Sequence, residues 1–441
     1  MVSWVERRVP VEADALATTA ALAAGSPEPY VVYESQGRLC WAEGELATVT
    51  VHGSGASLAV DGERRELHGS PLQAAGQALR SLAGARWRAY GWASFELSHA
   101  LHGLEPFQEH TPLAYLAVPR REIRIEGGTA LLRAGDEAEL DALHDRLAGA
   151  VAAGRAPVAE YRVSVDIRGG DAYRAAVASA VADITAGGLD KVILSRMVPL
   201  AEEIDFPATY VAGRRGNDPA RSFLLRLGGW EAAGFSPEVV ARVDADGAVT
   251  TQPLAGTRAL GGDPADDRAR RNELYHDAKE VYEHAISVRL AMAELERVCL
   301  PSTVRVAEFM SVKERGSVQH LASEVGGRLA DGRSGWDALA ELFPAVTASG
   351  IPKDAACGVI RRAEPGDRGL YGGAVLTVDA DGTIDAALVL RSVFRRGGRT
   401  WLQAGAGIVA QSHPDRELEE TVEKLRSVSR FLVSRARVAA S

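Results

Sequence analysis

Cysteine is scarce, with Cys40, Cys299 and Cys357 the only three in 441 residues, far apart and in no CxxC pair. That excludes a disulfide framework and suits a reducing compartment, so a cytoplasmic protein is expected. No uninterrupted apolar run approaches the roughly 18 residues of a spanning helix, and the opening MVSWVERRVPVEAD has no apolar signal core. No block of lysine and arginine stands out, and the net charge is −9. Nucleic acid and anionic membranes reward a basic patch, so neither is expected as a partner, whereas a small anion needs only a few placed cations. Also absent are GxxxxGK[ST], HExxH and GxSxG, and the GAG of QAGAGIVA (403–410) precedes no helix. The commonest nucleotide, zincin, serine-hydrolase and dinucleotide signatures are thereby removed.

What is present is an ordinary soluble composition, 46% hydrophobic and 25% charged, long enough to bury a sizeable core. In the first 160 residues YVVYES (30–35), ATVTVHG (47–53) and REIRIEG (121–127) alternate with period two, which predicts short antiparallel strands. Ala-rich helical patterns fall near 71–84 and 135–153, and GRAPVAE (154–160) reads as a connector. Beyond it, DAYRAAVASAVADITAGG predicts a helix capped by Asp171, leading into the strand KVILSRMVPL. Two DADG turns, each between β-rich runs in 239–256 and 370–394, predict hairpins, and long helices are expected over 264–299 and 414–437. Hairpins with segregated helices favour an α+β fold over a doubly wound one.

Several segments could carry chemistry. AKEVYEHAISVR places Glu280 and Glu283 on one helix face, and DRELEETVEK does the same for Glu417 and Glu420, with Lys424 one turn further on. Two such pairs could converge on a hard divalent cation, or form salt-bridged solvated faces. Gly256 and Thr257, directly after a predicted strand in QPLAGTRAL, could aim backbone N–H groups at an anion or simply turn the chain. Lys191 at a strand entrance suits a partly desolvated base, and Glu238 in FSPEVV suits an acid raised by apolar surroundings, although each also suits an exposed residue. His320 in GSVQHLAS follows a predicted strand, Thr347 lies in the Pro- and Gly-punctuated FPAVTASGIPK, and Arg391 stands within the apolar LVLRSVF. An arginine there is costly unless it is paired or binds an anion.

In order, DKVILSR, EAAGFSPEVV, QPLAGTRAL, KEVYEHAISVR, FMSVKERGSVQHLAS, LFPAVTASGIPK, GLYGGAV, ALVLRS, QAGAGIV and ELEETVEK resemble the motif series of the chorismate-utilising enzymes, which include anthranilate, aminodeoxychorismate, isochorismate and salicylate synthases. The likeness covers 160–435. FPAVTASGIPK and GSVQHL are most similar to the salicylate synthases, and Leu254 in PLAGTR, with Lys191, to members that use water rather than ammonia.

The resemblance implies one large α+β domain over 1–441, with the anthranilate synthase component I-like fold: large antiparallel sheets packed together, helices outside. It divides into a divergent portion, 1–160, and a chorismate-binding portion, 161–437. The implied activity is Mg²⁺-dependent conversion of chorismate through isochorismate to salicylate and pyruvate, serving siderophore or secondary-metabolite synthesis. Alternatives are an isochorismate synthase that stops halfway and an ammonia-using synthase. Glu283 and Glu420, with Glu280 and Glu417, are the implied metal ligands, while Glu419 and Glu423 are expected at the surface. Lys191 is the implied base for water addition and Glu238 the acid for the departing oxygen. Gly256, Thr257, Thr347, Tyr371, Arg391, Gly405 and Lys424 are implied to hold substrate; His320 is counted with the catalytic residues and, like Thr347, is implied to shape the folded substrate conformer or the metal site. A monomer is expected.

Overall fold

YVVYES, RSFLLRL and AVLTVD are apolar on both sides of their alternation, a pattern that only a sheet covered on both faces can bury. In the computed structural model they lie at the centre of two large sheets. The structure describes residues 4–82, 84, 86–104, 111–154, 163, 170–261, 263–316 and 318–435. Most of the predicted connector at 154–160, the boundary at 160/161 and the predicted helix end at 436–437 lie outside these residues.

One sheet has 11 strands, from Val5–Pro10 at one edge to Gly350–Ile351 at the other. The second has 12, from Leu254–Ala259 to Glu63–His68, with Arg305–Glu314 paired to Val318–Arg328 beside its first edge. Every pairing between the described strands is antiparallel. The first ten strands divide evenly, five to each sheet, and join the rest where Tyr30–Ser35 pairs with Arg221–Leu227 and Arg88–Ala93 with Ala374–Asp379.

The sheets pack face to face over Tyr33, Trp92, Phe223, Trp230, Phe394 and Trp401. Helices Ala15–Ala24, Glu137–Gly154, Phe206–Arg215 and Pro414–Ser429 cover the outer face of the first sheet. Pro71–Arg80, Ala278–Glu296 and Gly335–Leu342 cover the second. Each outer helix therefore needs only one apolar stripe, which leaves its other face free for charge. None of the described helices is long and apolar enough to cross a membrane.

Local differences from the sequence reading have local causes. The helix expected over 264–299 is two, Pro264–His276 and Ala278–Glu296, because Asp277 leaves helical geometry and its carboxylate accepts from the Lys279 and Glu280 amides. Asp171 is the first helical residue rather than the cap, which is Gly170. Gly256 and Thr257 lie inside Leu254–Ala259 at a register shift, not after it, and His320 lies inside Val318–Arg328. Arg391 is not within a strand. It stands between Ile384–Leu388 and Ser392–Arg396 with φ of 51°.

Phe394 is fully buried between the sheets, 6.4 Å from Trp230 and 5.7 Å from Trp401 by ring centroids. Phe394→Ala is expected to cost about 3–5 kcal/mol through lost burial and a residual cavity. A thermal midpoint unchanged from the wild type would contradict this packing.

Candidate active site

The strand Lys191–Leu200 is apolar enough to be covered on both faces, and its first residue is only 1% exposed. A buried ammonium requires an anion. Lys191 Nζ lies 2.7 Å from Glu283 Oε1, on the helix Ala278–Glu296. Gly407 on the adjacent strand makes room for the pair: a Cβ there would stand 2.9 Å from Glu283 Oε1 and 3.4 Å from Lys191 Cε. Burial would raise the Glu283 carboxyl, but the charge and hydrogen bond of Lys191, together with Lys279 and Lys424, outweigh it and hold the group below its ordinary range.

Glu238 follows Pro237 in the turn between Trp230–Ser236 and Val239–Val243 and is 2% exposed. Its Oε1 accepts from the Thr347 hydroxyl at 3.0 Å, while Oε2 has no hydrogen-bond partner among the described residues. Burial pushes this acid up to about 8, against the opposing pull of the Thr347 hydroxyl and the Lys191 charge. At neutral pH it therefore carries its proton. Thr347 reaches it from the short turn Val346–Ala348, just before Gly350–Ile351, whose Ile351 pairs with Lys191. One sheet edge thus presents the amine and the acid's hydroxyl partner together.

Thr257 and His320 are cross-strand neighbours, with Thr257 Oγ1 2.9 Å from His320 Nδ1. His320 Nε2 is bonded to Arg391 Nη2. A guanidinium can only donate, so Nε2 accepts and Nδ1 carries the hydrogen that is given to Thr257. Burial and Arg391 hold the imidazole well below its ordinary value, hence neutral. Burial, with Arg315 nearby, lowers the Arg391 guanidinium to about 10, still cationic at neutral pH. Its left-handed backbone costs of order 1–3 kcal/mol and turns the side chain from the sheet path toward His320. Tyr371 is buried with its phenol raised to about 12, and its hydroxyl faces Gly405, where a Cβ would lie 3.0 Å away. Lys424 Nζ donates to the Gly405 carbonyl at 2.9 Å and pairs with Glu420 at 2.7 Å.

The four carboxylates expected to hold metal face one another electrostatically, but each is held by a cation of the chain. Glu283 pairs with Lys191, Glu420 with Lys424, Glu280 with Arg258 at 3.2 Å, and Glu417 with Lys279 at 3.7 Å. Among the described residues, no three His, Cys, Asp or Glu side chains form a ready-made cation group. Burial and the neighbouring Glu283 raise Glu280; burial, with Glu420 nearby, raises Glu417, whose buried Oε2 has no hydrogen-bond partner among the described residues. Hard oxygen donors, mutual repulsion and one orphaned carboxylate oxygen make a set that fits a hard divalent cation. A backbone at φ 77° lets Gly256 approach this set, its absent Cβ lying 3.0 Å from Glu280 Oε2. Glu419 and Glu423 are exposed.

The sequence reading overlooked two members of this arrangement. Lys279 is four residues from Glu283 on one helix face, a spacing that could have identified it. Arg258 is a charge in an apolar strand, open to the inference that singled out Arg391.

The sequence model of the chorismate binding enzyme family matches residues 12–430. The chain is 43% identical to the salicylate synthase of Mycolicibacterium paratuberculosis, over 92% of this chain and 90% of that protein. It is 40% identical to anthranilate synthase component 1 of Spirochaeta aurantia, over 59% of this chain and 54% of that one. The menaquinone-specific isochorismate synthase MenF of Escherichia coli superposes with a TM-score of 0.75 at 23% identity, covering 97% of this chain and 94% of that chain. Anthranilate synthase component I of Streptococcus pneumoniae superposes with a TM-score of 0.75 at 24% identity, covering 89% and 92%.

The protonation of Glu238 is directly measurable. Isotope-edited infrared titration, with the Glu238→Gln variant identifying the band, is expected to show loss of its proton near pH 8. Thr347→Val should move that midpoint upward, because the hydroxyl it removes favours the ionised form. A midpoint near the ordinary carboxyl value would mean that water reaches Glu238.

Proposed function

The chain belongs to the chorismate binding enzymes, and from that premise we propose that it is a salicylate synthase, converting chorismate through isochorismate to salicylate and pyruvate. The observation that carries this reading is likeness to a salicylate synthase along almost the whole of both chains, where the anthranilate synthase of Spirochaeta aurantia matches over little more than half its length.

The division of roles follows from protonation states. Glu238 is buried and holds a proton near neutral pH, which suits a general acid at the C4 oxygen of the ring. Lys191 faces the same site and suits the base that takes a proton from water adding at C2. The hydroxyl at C4 then leaves as water, the ring double bonds shift, and composition is unchanged. Base function requires Lys191 to leave its ion pair with Glu283. Arg391 and Tyr371 offer a guanidinium and a neutral phenol to the enolpyruvyl carboxylate, and a guanidinium fork suits a carboxylate. His320, with both nitrogens engaged, orients Thr257 and Arg391.

Glu280, Glu283, Glu417 and Glu420 would hold Mg²⁺, which when bound supplies Lewis-acid polarisation of the ring carboxylate. Loss of pyruvate moves hydrogen from C2 to the enolpyruvyl methylene as the C–O bond breaks. That step asks the chain for a folded substrate conformer rather than for another acid or base.

Purified protein given chorismate and Mg²⁺ is expected to release salicylate and pyruvate in equal amounts, identified by mass. Isochorismate as sole product, or turnover that requires ammonium salts, would overturn the reading. Lys191→Gln keeps a donor toward Glu283 and should abolish consumption of chorismate while added isochorismate still yields salicylate. Loss of both steps together would contradict the assigned roles. Glu420→Gln is expected to weaken Mg²⁺ binding on the order of 10–100-fold by calorimetry. Glu423→Gln should leave it unchanged.

A further inference from the structure

Arg368 lies outside the motifs that carry the proposed chemistry, yet it is 2% exposed and every part of its fork is engaged. Nη1 donates to the Ala348 carbonyl at 2.6 Å and Nη2 to the Ile193 carbonyl at 2.8 Å. Ala348 follows Thr347, and Ile193 lies two residues beyond Lys191. One guanidinium therefore ties the strand bearing the amine to the turn bearing the acid's hydroxyl partner. Nε and Nη2 also grip Glu364, whose carboxylate accepts the Ser195 amide at 2.7 Å and the Ser195 hydroxyl at 3.0 Å. The same guanidinium lies over the rings of Phe95 and Tyr371, at 4.4 and 5.7 Å from their centroids. The Glu96 carboxylate anchors the loop from below, accepting the Arg368 amide at 2.7 Å and the Gly369 amide at 3.3 Å.

A strand needs only its ladder to stay a strand, and Ile193 is already paired through its own amide to Ser349 at 2.7 Å. An additional buried ion pair spanning that strand, the Thr347 turn and the Tyr371 ring is more than strand pairing requires. Isolated buried ion pairs add little net stability, because desolvation consumes most of the attraction, so stability alone is a weak reason for this one. We infer that Arg368, clamped by Glu364 and backed by Phe95 and Glu96, is a positioning residue that fixes the distance between Lys191 and the Glu238–Thr347 pair and seats the ring of Tyr371. It touches no reacting atom. Through Phe95 and Glu96, the N-terminal portion contributes to the site without supplying a residue to the chemistry.

The inference rests on the proposed roles of Lys191 and Glu238, and wild-type enzyme is the control that separates the two. If the wild type fails to turn over chorismate, the functional reading falls and this one with it. If the wild type is active, three variants read the clamp by steady-state kinetics with Mg²⁺, each checked by thermal midpoint. Arg368→Lys keeps the charge but cannot make the fork, and kcat is expected to fall about 100-fold with KM within about twofold, as for displaced groups held slightly out of place. The paired change Glu364→Gln with Arg368→Met removes both charges, so no buried ion is left alone, and should show the same split. Ser195→Ala loosens only one tie and, by keeping the fold, provides the reading if the others do not fold. It should lower kcat several-fold at constant KM. A folded variant with wild-type kcat, or a loss that appears in KM and the thermal midpoint but not in kcat, would overturn the assignment.

Discussion

A charged amine cannot remain in a protein interior without an anion, and this constraint organises the site. Lys191 is covered because its strand lies between two layers, so Glu283 must come to it, and Glu283 arrives on a helix from the other sheet's outer face. That approach brings Glu280 with it, one turn away. The second acidic helix, Pro414–Ser429, packs on the first sheet through Leu425 and Val428 and turns Glu417 and Glu420 toward the same place. Four carboxylates drawn so close would repel, and the chain balances each with its own cation. The proposed catalyst and the proposed cation site therefore share one ion pair.

Burial raises both Glu238 and Glu283, and the cations beside each decide the outcome. Glu238 has a hydroxyl partner but, among the described residues, no cation paired with it, so desolvation wins over the pull of Thr347 and Lys191 and it keeps its proton near neutral pH. Glu283 has Lys191 at contact distance, and there Lys191, with Lys279 and Lys424, outweighs burial. Two glutamates of equal intrinsic acidity thus become an acid and an anion through surroundings alone. The Thr257–His320–Arg391 chain shows the same economy, since a donor-only guanidinium fixes the tautomer of the imidazole and so the direction of the hydroxyl beside it.

The two sheets are assembled from both ends of the chain, and the N-terminal strands do more than finish them. Phe95 and Glu96 follow the strand Arg88–Ala93, at the joint with Ala374–Asp379, and there they meet Arg368.

Alternation in YVVYES and REIRIEG, the DADG turns and the paired ExxE spacings are local properties, and they were enough to determine strands, hairpins, helices and an α+β arrangement from the sequence by itself. The ordered motif series extended that to family membership. Local signals stopped where geometry depended on distant partners. Asp277 broke a helix because its carboxylate preferred two amides, Arg391 left its strand because His320 stood beside it, and Gly256 lay in a strand rather than after one. Lys279 and Arg258 carried usable local signals, a helix spacing and a charge within a strand, whereas nothing local marks Arg368. Only the tertiary structure decided which anion Lys191, Arg258 and Lys279 meet, and hence which carboxyl is protonated, because those choices are set by distance and dehydration between residues far apart in the chain.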